Sequence, residues 1–171
     1  SRSEHYIYDI DIYEKSLLKT FKQFYKLNNN TAILALLPSY LENGDSSLVY
    51  MVDLLMKQTN NKNNGFFLND FEKLKKVLNS LRDSNTETLL FGVSYALLNF
   101  IEKYKIKFPE LKIIETGGMK GRRKEVIRTE LHESIKSGFD VQSVFSEYGM
   151  TELLSQAYTK GGDSFYLPIW M

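Results

Sequence analysis

The chain contains no cysteine among its 171 residues, and that absence removes disulfide frameworks, thiolate nucleophiles and sulfur-rich metal sites together. Proline is nearly missing as well, with three in the whole sequence, which argues for a folded domain and not a disordered one. Excess charge of one sign is absent: 22 basic against 21 acidic residues leave a formal net charge of +1, which gives no global field for a nucleic acid. No apolar run reaches the length of a membrane span, and no signal-peptide pattern opens the chain. The expectation from these absences is a soluble, cytoplasmic domain with neither a nucleic-acid partner nor a membrane span. What the chain has in quantity is hydrophobic and aromatic side chains, at 43% and 13%, enough to bury a sizeable core in one domain.

The pattern along the chain alternates between short apolar runs and helix-spaced segments. Helical spacing is predicted over 8–27, 48–57, 71–81, 94–104 and 124–137, with Asp9 or Asp11, Ser46 or Ser47, and Asn69 or Asp70 placed to cap three of them. Gly138 is expected to close the fifth. Strands are predicted at 31–37, 65–68, 86–93, 111–116 and 141–145. Asn28, Asn29 and Asn30 end the first helix, and the Asn-rich stretch 60–64 reads as a surface turn. No hairpin signal joins neighbouring strand candidates, so the expected fold is α/β, a mostly parallel sheet with helices on both faces.

Two strand ends carry unusual chemistry. ETGGMKGRRKE (115–125) places paired glycines and Lys120, Arg122, Arg123 and Lys124 between a strand and a helix. Glycines permit close backbone approach, and a helix N-terminus favours anions. A solvated basic turn explains the same residues equally well. SEYGMTELLSQAY (146–158) follows the last predicted strand and is expected to begin a final helix. Thr151 and Glu152 can be read as its cap and first-turn acid, which is the preferred reading of those two taken alone. A nucleotide site uses more of the stretch: Tyr148 offers an aromatic face, Gly149 clears space, Thr151 donates to phosphate, and Glu152 offers a hard oxygen to Mg²⁺. NGDSSL (43–48) is similar to the opening of a serine esterase family, but the spacing from the preceding strand is wrong. Only His5 and His132 could serve as base, and His132 sits mid-helix. A hydrolase built on Ser46 ranks last.

Taken in order, ETGG and YGMTE resemble the adenylate-forming enzyme superfamily. ALLPSYLENG (35–44) and LLFGVSYALLNF (89–100) line up with further segments of it. The wording is closest to the acyl-protein synthetase and phenylacetate–CoA-ligase-like branch. The resemblance implies part of the large domain of an acyl-activating enzyme. It implies ATP and Mg²⁺ as cofactors, a carboxylic acid (a fatty acid in this branch) as substrate, and transfer of the acyl group to a thiol on an acceptor protein or reductase subunit. By this resemblance Glu152 ligates Mg²⁺ and Thr151 contacts the α-phosphate. Tyr148 stacks on adenine with Gly117 and Gly118 opposite, while Gly149 and Met150 complete the nucleotide wall. Ser39, Tyr40, Gly92 and Val93 stand at the acyl pocket. The family's phosphate loop would precede Ser1, and its ribose-binding aspartate, hinge and catalytic lysine would follow Met171. The expectation is therefore an inactive fragment of a larger enzyme, cut at both ends, whose exposed strand edges invite pairing with another copy. The competing reading is a non-catalytic α/β module that binds a nucleotide or a partner protein.

Overall fold

In a computed structural model the described residues are 6–37, 46–119, 121–124, 126–149 and 153–171. They form α1 (Ile10–Phe24), β1 (Ala32–Leu36), α2 (Ser47–Thr59), β2 (Gly65–Phe66), α3 (Phe71–Asp83), β3 (Thr88–Val93), α4 (Ser94–Lys103), β4 (Lys112–Thr116), α5 (Arg128–Phe139), β5 (Val144–Tyr148), β6 (Ala157–Thr159) and β7 (Phe165–Tyr166). The strands make one sheet in the order β2-β1-β3-β4-β5-β6-β7. The first five are mutually parallel, and β6 and β7 are antiparallel additions at one edge. Such a sheet has no short hairpin available between parallel neighbours, so each crossover carries a helix.

The central strands read as continuous apolar runs because helices cover both faces, and β1 and β3 are buried at every position. Gly92 places the α4 face, since a Cβ there would lie 2.6 Å from the Leu97 side chain. Phe91 therefore points to the opposite face, where its ring meets Phe21 of α1 at 5.9 Å. On the α1 side, Phe21, Tyr25 and Tyr158 form a ring cluster, and Tyr13 meets Tyr50 of α2. On the α4 side, Phe100 lies between Phe71 of α3 and Phe139 of α5. Buried aromatic rings of this size supply much of the apolar area that drives such a core together.

Local chemistry sets the helix starts. Asp9, Ser46 and Asp70 each accept from a backbone N–H of the first turn, settling the three capping alternatives. The Asn-rich stretch has structural work to do. Asn60 ends α2 in the left-handed region at φ 48. Asn64 accepts from the Ile33 N–H at 2.8 Å and donates to the Met56 carbonyl and the Thr59 hydroxyl, tying β1 to the end of α2.

Four sequence expectations are corrected. No helix follows Tyr148 among the described residues: Ala157–Thr159 is a strand, with Glu147 opposite Tyr158 and Tyr148 opposite Ala157. Burial of the whole Tyr158 side chain among aromatic rings outweighs the helical spacing of LLSQAY. The last parallel strand is Val144–Tyr148, not 141–145, so Glu147 and Tyr148 belong to the sheet. α5 begins at Arg128, four residues later than the spacing suggests. Gly138 lies inside α5, not beyond it, because a Cβ there would come within 2.5 Å of Ile101; Asp140, at φ 59, takes the left-handed cap. The apolar C-terminus docks in part on α1, where Trp170 Nε1 donates to Ser16 Oγ at 3.1 Å and Lys19 lies over the indole.

Candidate functional site

The order β2-β1-β3-β4-β5 reverses direction between β1 and β3, and the carboxyl ends of all five parallel strands share the edge of the sheet at which open α/β folds hold ligands. At that edge the register sets Gly92 beside Glu115 and Glu115 beside Ser146. These three share the α4–α5 face, and Thr116 and Glu147 turn to the α1 face.

The β4 end runs into Gly117 and Gly118, at φ 73 and 65, and both are exposed. A side chain at Gly118 would meet nothing within 4 Å, so the bare backbone there fronts open space, and its φ makes any other residue strained. The β5 end presents Tyr148, 45% exposed, with its ring tilted against Phe165 of β7 at 5.8 Å. The structure thus brings Gly117, Gly118 and Tyr148 to adjacent strand ends. Gly149 has a different local reason: a Cβ there would lie 2.7 Å from Glu147 Oε1 and 3.6 Å from Gln156 Cγ. Gly92 and Val93 are both buried, and the space beside Gly92 is filled by Leu97. Thr151, Glu152, Met150, Ser39 and Tyr40 lie outside the described residues, as does Lys120. Arg122 lies over the Tyr95 ring, and Arg123 bonds Asn99 and Glu102 of α4, so these two cations are engaged by the protein itself.

Sequence spacing missed the polar network beneath this edge. Glu115 accepts from Ser94, the first residue of α4, and from Ser146 at 3.2 Å. Ser146 Oγ lies 3.3 Å from His132 Nε2 and accepts from Arg128. Burial works against the Glu115 carboxylate, yet nearby His132 and the hydrogen bonds from Ser94 and Ser146 outweigh it and hold its pKa below the usual range. His132 turns the same nitrogen to Ser146 and, at 3.9 Å, to Glu115. A serine-base-acid relay needs opposite nitrogens, so this group is not arranged as one. Ser46 caps α2, accepting from the Val49 N–H.

On the other face Thr116 donates to Glu147 Oε2 at 2.6 Å. Desolvation, opposed by that hydrogen bond and reinforced by Glu115, pushes the Glu147 carboxyl up to about 7. The only sequence signal for either carboxyl was its place at a strand end.

A cavity of about 660 Å³ opens elsewhere, between α1 and the chain after residue 152, lined by Ile12, Tyr13, Leu153, Leu154 and Trp170 with Lys15 and Lys19 beside them. The rigid polar chemistry and the roomy apolar space are therefore separate features. Among the described residues no three His, Cys, Asp or Glu side chains gather to hold a metal ion, and Glu152, the Mg²⁺ candidate, lies outside them. The exposed Tyr148 ring and the open Gly118 backbone do fit a flat aromatic base. No described helix is long and apolar enough to cross a membrane.

No family model matches the sequence, and no curated protein matches it. Solved structures do match by fold. A long-chain-fatty-acid–CoA ligase from Archaeoglobus fulgidus superposes with a TM-score of 0.55 at 15% identity, over 85% of this chain and 28% of the ligase. A malonyl-CoA ligase, solved as a ternary product complex with methylmalonyl-CoA and AMP, superposes with a TM-score of 0.52 at 17% identity, over 82% of this chain and 28% of that one. The chain spans little more than a quarter of the length of either. The α/β fold, a mostly parallel seven-stranded sheet flanked by helices, is shared with part of each of these two ligases.

Proposed function

We propose that this chain carries part of the adenylate site of an enzyme that activates a carboxylic acid with ATP and passes the acyl group to a thiol. The observation that carries the reading is the convergence of Gly117, Gly118 and Tyr148 at neighbouring strand ends, open backbone on one side and an exposed ring on the other. The fold shared with two acyl–CoA ligases supports it. ATP bound there supplies the adenylyl group that the acid takes up as pyrophosphate leaves. Tyr148 stacks on the base and Gly117-Gly118 lets it approach the backbone, and the resemblance assigns Gly149 and Met150 to the same wall. The resemblance assigns Thr151 to the α-phosphate and Glu152 to Mg²⁺, and Ser39, Tyr40, Gly92 and Val93 to the acyl wall. The acyl acceptor in this reading is the thiol of a protein or reductase subunit.

The chain supplies a quarter of a ligase's length, so we place the remaining phosphate and lid functions in flanking segments and expect this piece alone to be inactive in acyl transfer. That same short span favours a second reading, a nucleotide-binding module without chemistry. Calorimetric titration of the adenylate mimic tetradecanoyl-sulfamoyl-adenosine separates the site from its absence. Binding should weaken at least tenfold in Tyr148→Ala, a loss of ~1.4 kcal/mol. Binding indifferent to Tyr148→Ala would move the base away from this strand end. Acyl-adenylate formation by this chain alone would remove the dependence on flanking segments.

A further inference from the structure

The Thr116-Glu147 hydrogen bond is the last side-chain link between β4 and β5 before the two ends diverge into Gly117-Gly118 and Tyr148-Gly149. Glu147 is unusual in its company. It turns to the α1 face, and the titratable groups acting on it are Tyr13 of α1, Tyr25 just after it, Tyr158 from β6 and Glu115 from β4. None is a base. Its Oε1 crowds Gly149 from below, together with the Gln156 side chain. Gln156 Oε1 is itself buried without a hydrogen-bond partner, which is costly unless a donor reaches it. A carboxylate offers only acceptors, whereas a neutral carboxyl adds one O–H donor. The neutral form therefore answers two local needs: it avoids an uncompensated charge, and it brings a donor to the neighbourhood of an orphaned acceptor.

We propose that Glu147 is a positioning residue for a ligand held at the β4 and β5 ends, its neutral carboxyl bridging Thr116 and Gln156 and so fixing the gap between Gly117-Gly118 and Tyr148. Ionisation keeps the Thr116 bond but puts a charge with no cation beside it between the strand ends and removes the donor toward Gln156, and the two ends lose their fixed spacing. The raised pKa of the group puts this change near neutral pH. The ligand part rests on the adenylate-site reading, while the clamp itself does not. Glu147 touches no reacting atom in this scheme; it acts through the backbone on either side.

Two measurements test it, and they fail separately. Titration of tetradecanoyl-sulfamoyl-adenosine into the chain should show affinity falling at least about tenfold from about pH 6 to about pH 8.5, as the neutral fraction is lost. Glu147→Gln, which keeps shape and a permanent donor, should hold the high affinity at both pH values. Thr116→Val should weaken binding at both. Equal pH dependence in wild type and Glu147→Gln overturns the proposal. Should the mimic not bind at all, the ligand-site reading falls, and amide hydrogen exchange decides the clamp alone. Protection at Gly117, Gly118, Tyr148 and Gly149, corrected for intrinsic rates, should drop across the same pH range in wild type and stay level in Glu147→Gln. Level protection in both proteins overturns the clamp whatever the ligand does.

Discussion

Single side chains decide more here than their exposure suggests. Gly92 sits where β3 meets α4, and any Cβ would drive into Leu97. Gly92→Ala should lower unfolding free energy by about 1–3 kcal/mol, the range for overpacking a filled core, read as a shift in the urea midpoint at unchanged slope. Leu97→Ala in the same background should recover part of that loss by making room. Glu147 gives a pH signature with a defined sign. Its pKa is raised to about 7 in the folded chain from an ordinary carboxylate value when unfolded. The native state thus binds the proton more tightly, and the group's contribution to stability is full at acid pH and is lost as pH rises through about 7. For a half-buried residue the loss between about pH 5.5 and pH 8 should be of order 2 kcal/mol, and it should vanish from urea titrations of Glu147→Gln.

Elements were legible where one face dictated the spacing, and illegible where tertiary contacts overruled it. Asp70 stands before FEKLKKVLNSL, and both the cap and the helix form as spaced. Asp70→Ala should cost about 1 kcal/mol in chemical denaturation, with Asp70→Ser nearly neutral. The parallel strands were visible as apolar runs because both of their faces are covered. The segment after Glu152 misled because Leu153, Leu154, Ala157 and Tyr158 fit a helical stripe as well as they fit their actual places. Pairing of Tyr158 with Glu147 across β5 and β6 is a contact that spacing along the chain does not encode. The candidate site shows the same division. Gly117, Gly118 and Tyr148 could be read from two motifs, whereas the Ser94-Glu115-Ser146-His132 network joins residues from four separate elements. Arg128 ties this network to the edge hairpin through the carbonyls of Gly162 and Asp163. Arg128→Ala should loosen β6 and β7 first, seen as faster amide exchange at Tyr158 and Tyr166 while the β1 and β3 amides stay protected.

At the scale of the whole molecule, the sheet ends in two-residue strands on both sides, β2 and β7, which leaves little edge for another chain to extend. Self-association, if light scattering detects it, is therefore expected through the exposed Leu167, Ile169 and Trp170 rather than through a continuous sheet. A ligand at the β4 and β5 ends should stabilise the entire fold. With the adenylate mimic about a hundredfold above its Kd, linkage adds about 2.7 kcal/mol, and the Tm of the wild-type chain should rise by about 5–10 °C. Absence of a shift at saturation would mean that the mimic does not select the folded form. Time acts on the same molecule through Asn64. It is followed by Gly65, a pairing in which the flexible glycine lets its own nitrogen attack the preceding amide, and the three hydrogen bonds of Asn64 hold that amide away from such closure. Folding is thus also a chemical preservative. Once the end of α2 frays, ammonia can leave and a carboxylate takes the amide's place, able to accept from Ile33 but unable to donate to Met56 or Thr59. Each such event makes the next opening easier, so the age of a sample should be written as a mass gain of about 1 Da in the peptide that holds Asn64-Gly65, read apart from the one that holds Asn43-Gly44 and accumulating faster in urea than in buffer.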